Sequence, residues 1–133
     1  MITVLLADDH AMVRDGLRYI LEAAGDIQIV GLAANGQEAV AQALTHCPDI
    51  AVIDISMPVM DGIEAARRIS KACAHTRIIT LSMYHTEDYV QRALSAGALG
   101  YVLKDAAGNE LVEAVRRLHA GSRYFSPQVA KYY

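Results

Sequence analysis

Residues 50–62 read IAVIDISMPVMDG, and the first four of them decide the fold. Ile50–Ile53 is apolar throughout, without the polar alternation of a half-exposed strand, which is the pattern of a strand covered on both faces. An acid, Asp54, stands directly behind it. Working outward, further strand candidates lie at Ile2–Ala7, Gln28–Ala33, Arg77–Leu81 and Gly100–Leu103, most of them equally apolar. Amphipathic stretches fill the intervals. Val13, Leu17, Ile20, Leu21 and Ala24 share one helix face, Ala39, Val40, Ala43 and Leu44 a second, and Ile63, Ala66, Ile69 and Ser70 a third. Val90, Ala93 and Leu94 mark a fourth helix, opened by Thr86 with Glu87 and Asp88 in its first turn, where acids complement the helix dipole. The fifth carries Leu111, Val112, Val115 and Leu118 and stops at Gly121.

Five β-then-α units in succession predict an α/β domain: a doubly wound parallel sheet with right-handed crossovers and helices on both faces. Such sheets carry their working residues beyond the carboxyl ends of the strands. The chain has 133 residues, 53% of them hydrophobic and 20% charged, enough for one well-filled core that needs no staples. The domain is expected over residues 1–121, with 122–133 as a tail or the start of a linker. Cys47 and Cys73 stand apart in a spacing that suits neither a disulfide framework nor zinc, which fits a reducing, cytoplasmic setting. The opening MITVLLADDH is too short an apolar run for a signal peptide or membrane span. A formal net charge of −3 argues against duplex nucleic acid as a direct partner of this segment.

The residues that follow the predicted strands are chemically matched: Asp8 and Asp9, then Asp54, Ser82 and Lys104. Each has an ordinary reading, as a helix-capping pair, a turn residue, a turn hydroxyl or a solvated charge. Together they form a phosphate site. Carboxylates brought to about 4 Å repel by roughly 4 kcal/mol per pair at an effective dielectric near 20, so their ionised cluster calls for a divalent cation. A hard, oxygen-rich site suits Mg²⁺. Lys104 supplies a compact cation and Ser82 a hydroxyl for phosphoryl oxygens. Asp54, alone behind its strand, is the candidate nucleophile for an acyl-phosphate. The five histidines are too scattered to suggest a metal cluster, and Met57, Met60 and Met83 read as gap-filling apolar residues.

The stretches LLADDH, DISMPVMDG, LSMY and GYVLKDA resemble the response-regulator receiver domains of two-component signalling, over about residues 1–121. ADDH, LSMY, KDA and the SPQVA tail resemble the NarL/FixJ-type subfamily. The resemblance implies a flavodoxin-like fold of strand order 2-1-3-4-5. It implies phosphorylation at Asp54 by a sensor histidine kinase. It further implies Mg²⁺ held by Asp9, Asp54 and the Ser56 backbone carbonyl, with Asp8 in an outer position or touching through water. Ser82 and Lys104 would meet the phosphoryl group, with Met83 beside Ser82, and Tyr101 would move inward as the switch is thrown. Such a domain is not an enzyme but assists its own phosphorylation and dephosphorylation. Its output would be homodimerisation, in this subfamily often through the first and fifth helices, or transcription through a helix-turn-helix domain for which residues 1–133 leave no room. A stand-alone receiver acting on a protein partner is the alternative. A Mg²⁺-dependent phosphohydrolase of the haloacid-dehalogenase type fits less well, since Asp8–Asp9–His10 lacks its Asp-x-Asp pattern. Asp105 follows Lys104 where many receivers have a proline, often through a cis bond that a non-proline residue adopts only at about 3–4 kcal/mol.

Overall fold

The apolar runs become strands because each has two hydrophobic layers to satisfy. In β1 (Ile2–Ala7), Leu5 and Ala7 enter one core while Val4 and Leu6 enter the other, so period-2 alternation separates two cores and not core from water. The computed structural model describes residues 1–133. After β1 come α1 (Ala11–Ala23), β2 (Ile27–Ala33), α2 (Gly36–His46), β3 (Ile50–Asp54) and α3 (Gly62–Ala72). β4 (Arg77–Ser82), α4 (Glu87–Ser95), β5 (Gly100–Leu103), α5 (Ala107–His119) and β6 (Tyr124–Phe125) complete the chain's main elements. The sheet order is β2-β1-β3-β4-β5-β6 with every neighbouring pair parallel, the flavodoxin-like arrangement extended by one strand. Helices α2, α3 and α4 cover one face, and α1 and α5 the other. No peptide bond is cis, so Lys104–Asp105 is trans. No helix is long and apolar enough to cross a membrane.

Strand ends differ from the sequence reading by a residue, and the difference matters. β3 and β4 each extend one position further, so Asp54 and Ser82 are the last residues of their strands and inherit strand rigidity. Two helix starts, those of α2 and α3, are set by side chains. Asn35 caps α2 by accepting a bond from the Glu38 amide at 2.8 Å, while the Glu38 side chain accepts the Ala34 amide, just ahead of the cap, at 2.9 Å. Asp61 caps α3 through the Glu64 amide at 2.9 Å. Thr86 occupies the N-cap of α4 without a side-chain cap bond.

The sixth strand was not foreseen. After α5 the chain turns through Gly121 at φ 95, and Tyr124–Phe125 pairs with Gly100–Tyr101 on the β5 edge. Ser126, buried, accepts the Leu103 amide at 2.9 Å and donates to Glu110 at 2.7 Å, satisfying groups that an edge strand leaves open. Val129 is fully buried, so the segment after residue 121 packs as part of the domain.

Candidate functional site

Three parallel strands deliver acids and a base to one end of the sheet. β1 ends at Ala7, and the Asp8 amide continues the ladder by donating to Ala33 at 3.0 Å. The Asp8 side chain is fully buried and accepts the His10 amide at 2.8 Å. Asp54 ends β3 at 2% exposure. Lys104 follows β5 and reaches back across the sheet end, placing Nζ 2.8 Å from Asp54 Oδ2 and 3.2 Å from Asp8 Oδ2. Despite that proximity, Asp8 Oδ2 has no donor in hydrogen-bond geometry. A buried carboxylate oxygen in this condition is costly, and a cation in the pocket relieves it.

The electrostatics follow from burial. Desolvation pushes the Asp54 carboxyl above the ordinary carboxylate value, against the opposing pull of Lys104. Burial also works against the Lys104 cation, but the hydrogen bonds and charges of Asp54 and Asp8 outweigh it and hold the ammonium above the ordinary lysine value. One cation thus serves two buried acids, and Asp9 lies exposed beside them. Ligand atoms of Asp8, Asp9, His10 and Asp54 all fall within 4.8 Å of one another, a donor set compatible with a hard divalent ion.

His10 corrects the sequence reading. Its Nδ1 lies 3.2 Å from Asp9 Oδ1 and 3.2 Å from Lys104 Nζ, so one histidine does join the cluster. Its position directly behind the acidic pair was the available signal. His85, by contrast, is exposed and makes no bond to the site.

The loop after β3 is shaped by two close backbone approaches. The Gly62 amide donates to Ile55 at 2.8 Å, and a Cβ on Gly62 would meet the Asp54 carbonyl oxygen at 2.0 Å. The Gly36 amide donates to Met60 at 2.9 Å, where a Cβ would lie 2.1 Å from the same carbonyl. Between them Val59 takes φ 70, with the Met60 amide bonded back to Pro58 at 2.7 Å. This γ-turn with positive φ is strained for a β-branched residue. Ser56 is exposed, and its amide donates to Asp54 Oδ1 at 3.3 Å.

On the far side of Asp54, Ser82 is buried and engaged with its own loop. Its Oγ accepts the Tyr84 amide at 2.8 Å and lies 3.3 Å from the Tyr84 carbonyl. Tyr101 is already inside, at 1% exposure, with its hydroxyl donating to that same carbonyl. The expected inward movement of Tyr101 is therefore not needed from this conformation. Met83 is not a gap filler, being 74% exposed, whereas Met57 is buried. The Tyr84 ring stacks on Tyr89 with centroids 4.1 Å apart.

Residues 4–116 match the model of the response regulator receiver domain. The chain belongs to that family. Response regulator UvrY of Escherichia coli strain K12 is 40% identical over 131 residues, covering 98% of this receiver and 60% of UvrY. The oxygen regulatory protein NreC of Staphylococcus carnosus is 39% identical over 127 residues, covering 95% of the receiver and 58% of NreC. Among solved structures, a LuxR-family two-component response regulator from Aurantimonas sp. SI85-9A1 superposes with a TM-score of 0.92 at 36% identity, over 98% of this chain and 93% of that one. These relatives are regulators of the NarL/FixJ type, so the subfamily read from the sequence holds. The receiver spans about 60% of the length of the curated relatives it matches.

Proposed function

We propose that the receiver takes a phosphoryl group from the phosphohistidine of a sensor kinase onto Asp54. The carboxylate oxygen forms the new O–P bond as the N–P bond to histidine breaks, and the donor imidazole leaves with the electron pair. The observation that carries this reading is the buried Asp54 at the end of β3, ion-paired to Lys104 beside an unsatisfied oxygen of Asp8. Lys104 is then available to follow the charge from the carboxylate to a phosphoryl oxygen. Positioning and electrostatics supply most of the rate in such transfers, and a rigid strand end meets the first need.

Asp9, Asp54 and the Ser56 carbonyl are the proposed Mg²⁺ ligands, with Asp8 in an outer position or touching through water. The unsatisfied Asp8 oxygen and the clustered carboxylates fit this group. When bound, Mg²⁺ neutralises the acids and the incoming phosphoryl charge. Ser82 is the proposed reader of the phosphoryl group: turning toward it gives up the hydroxyl's bonds to Tyr84 and frees the β4–α4 loop. Met83, at the loop's exposed start, changes its surroundings with it.

The output we propose is transcription through a DNA-binding domain, reasoned from the LuxR-family likeness and the partial coverage of the relatives. Homodimerisation through α1 and α5 is proposed alongside. Arg116 on α5 is already held within the chain by Asp26 at 3.0 Å, which leaves the other exposed charges of those helices to orient a second copy.

Incubation with Mg²⁺ and acetyl phosphate, read by intact mass, tests the central claim. One phosphoryl adduct is expected in the wild type and none in Asp54→Asn, with Asp9→Ala losing both Mg²⁺ binding and uptake. Catalytic turnover without an adduct, or an adduct persisting in Asp54→Asn, overturns it.

A further inference from the structure

Cys47 and Cys73, which the sequence spacing separates by 26 positions, bring their sulfurs to 3.8 Å in the folded chain. Each stands at the C-terminal end of a helix. Cys47 closes α2 with left-handed backbone at φ 40 and is exposed, whereas Cys73 closes α3 and is 5% exposed. Two further bonds bind these helix ends together. The Cys73 thiol donates to the Ala43 carbonyl of α2 at 3.4 Å, and the Thr76 hydroxyl donates to the Pro48 carbonyl at 2.7 Å. The pair is therefore held in place by the packing of α2 against α3.

We propose that Cys47 and Cys73 form a reversible dithiol–disulfide couple, oxidised by low-molecular-weight disulfides. A disulfide bond is about 2.05 Å long, so the sulfurs must close about 1.8 Å to bond. Exposure makes Cys47 the entry point. Its thiolate attacks one sulfur of the small disulfide, forming a mixed disulfide and expelling one thiolate that takes up the released proton. Cys73 sulfur then attacks the Cys47 sulfur, its own proton leaving with the second small thiol. Two cysteine sulfurs are oxidised and one small disulfide is reduced to two thiols. Burial and the neighbouring Cys47 thiol raise the Cys73 pKa, which makes Cys73 the poorer entry point for a small disulfide from solvent.

The covalent loop so closed contains all of β3, Asp54, the γ-turn at Val59 and α3. The couple itself sits at the opposite end of β3 from Asp54, beyond a five-residue strand whose ends are about 13 Å apart. Oxidation restrains the segment carrying the site without entering the site. No residue proposed to act in phosphoryl transfer takes part, so this inference stands independently of that reading.

The test is to equilibrate the purified chain in mixtures of oxidised and reduced glutathione, quench in acid, alkylate under denaturing conditions and read intact mass. The wild type is expected to lose both alkylatable thiols together and two hydrogens in mass, with no glutathione retained and no dependence on protein concentration. Cys73→Ala, or Cys73→Ser if the alanine variant melts early, should stop as a single glutathione adduct on Cys47. Cys47→Ser should leave Cys73 reduced while the chain is folded. The oxidised wild type should also have a higher thermal midpoint than the reduced form. A wild type that accumulates a stable glutathione adduct with Cys73 still alkylatable, or that forms disulfide-linked dimers, overturns the proposal.

Discussion

The hydroxyl of Tyr101 donates to the main-chain carbonyl of Tyr84 at 2.6 Å, tying the loop after β4 to the middle of β5. The same carbonyl lies 3.3 Å from Ser82 Oγ, which also accepts the Tyr84 amide at 2.8 Å. Residue 84 is thus held from both sides, by a residue at the phosphate site and by a residue of the core. Movement of the Ser82 hydroxyl toward Asp54 breaks half of this clamp.

Ser82→Ala is expected to accept a phosphoryl group yet keep the amide spectrum of the unphosphorylated protein over residues 83–103. Tyr101→Phe should leave uptake intact and loosen the same loop, at a cost of about 1 kcal/mol for one lost hydrogen bond. Nuclear magnetic resonance with beryllofluoride as phosphate mimic checks both. Wild-type shifts in Ser82→Ala would separate Ser82 from the switch.

Lys104→Ala removes the one cation shared by Asp8 and Asp54, both buried. The expected cost is about 3–5 kcal/mol, the range for removing one partner of a buried ion pair. Mg²⁺ should raise the thermal midpoint of this variant more than that of the wild type, because the ion takes over the neutralising role. Equal Mg²⁺ shifts in a melting series would show that the acids do not share an ion.

Gly62→Ala and Val59→Gly should move stability in opposite directions. An alanine Cβ at residue 62 would sit 2.0 Å from the Asp54 carbonyl oxygen, a backbone atom with no room to yield, for a loss of about 3 kcal/mol. Glycine at 59 removes the penalty of φ 70 on a β-branched residue, a gain of about 1 kcal/mol. Urea unfolding of the two variants measures both. A destabilised Val59→Gly would mean that the Val59 side chain makes contacts worth more than the strain.

The Asp26–Arg116 pair sets a pH dependence with a definite sign. The two bonds from Arg116, each 3.0 Å, hold the Asp26 carboxyl below its ordinary value of 3.8. A group with a depressed folded pKa contributes stability above its unfolded pKa and loses it as pH falls through the folded one. Asp26→Asn should therefore melt below the wild type at neutral pH, and the gap should close as pH drops beneath 3.8. Both groups are solvent-exposed, so added salt should narrow the gap as well. A gap that persists at low pH would assign it to something other than charge.

Much of this molecule was determined by the sequence alone. Runs such as Ile50–Ile53 are apolar throughout because two cores flank the sheet, and that pattern is local. With β-then-α alternation it was enough to give the parallel sheet, the two-sided helices and the clustering of Asp8, Asp54, Ser82 and Lys104 at one end. The strand-end rule converts a position in the chain into a position in space, so those residues could be found without coordinates. Other features had no local signature. Tyr124–Phe125 is too short to read as a strand, and it becomes one only because β5 offers an open edge and Ser126 a hydroxyl to finish it. The inward Tyr101, its bond to Tyr84 and the strained turn at Val59 depend on how a loop closes over its neighbours. His10 meets Asp9 through its place in the chain, but only the fold brings Asp54 and Lys104, the latter from 94 residues away, to the same group. Cys47 and Cys73 meet for the same kind of reason: α2 and α3 pack side by side, so their ends converge, and sequence separation carries no record of that distance.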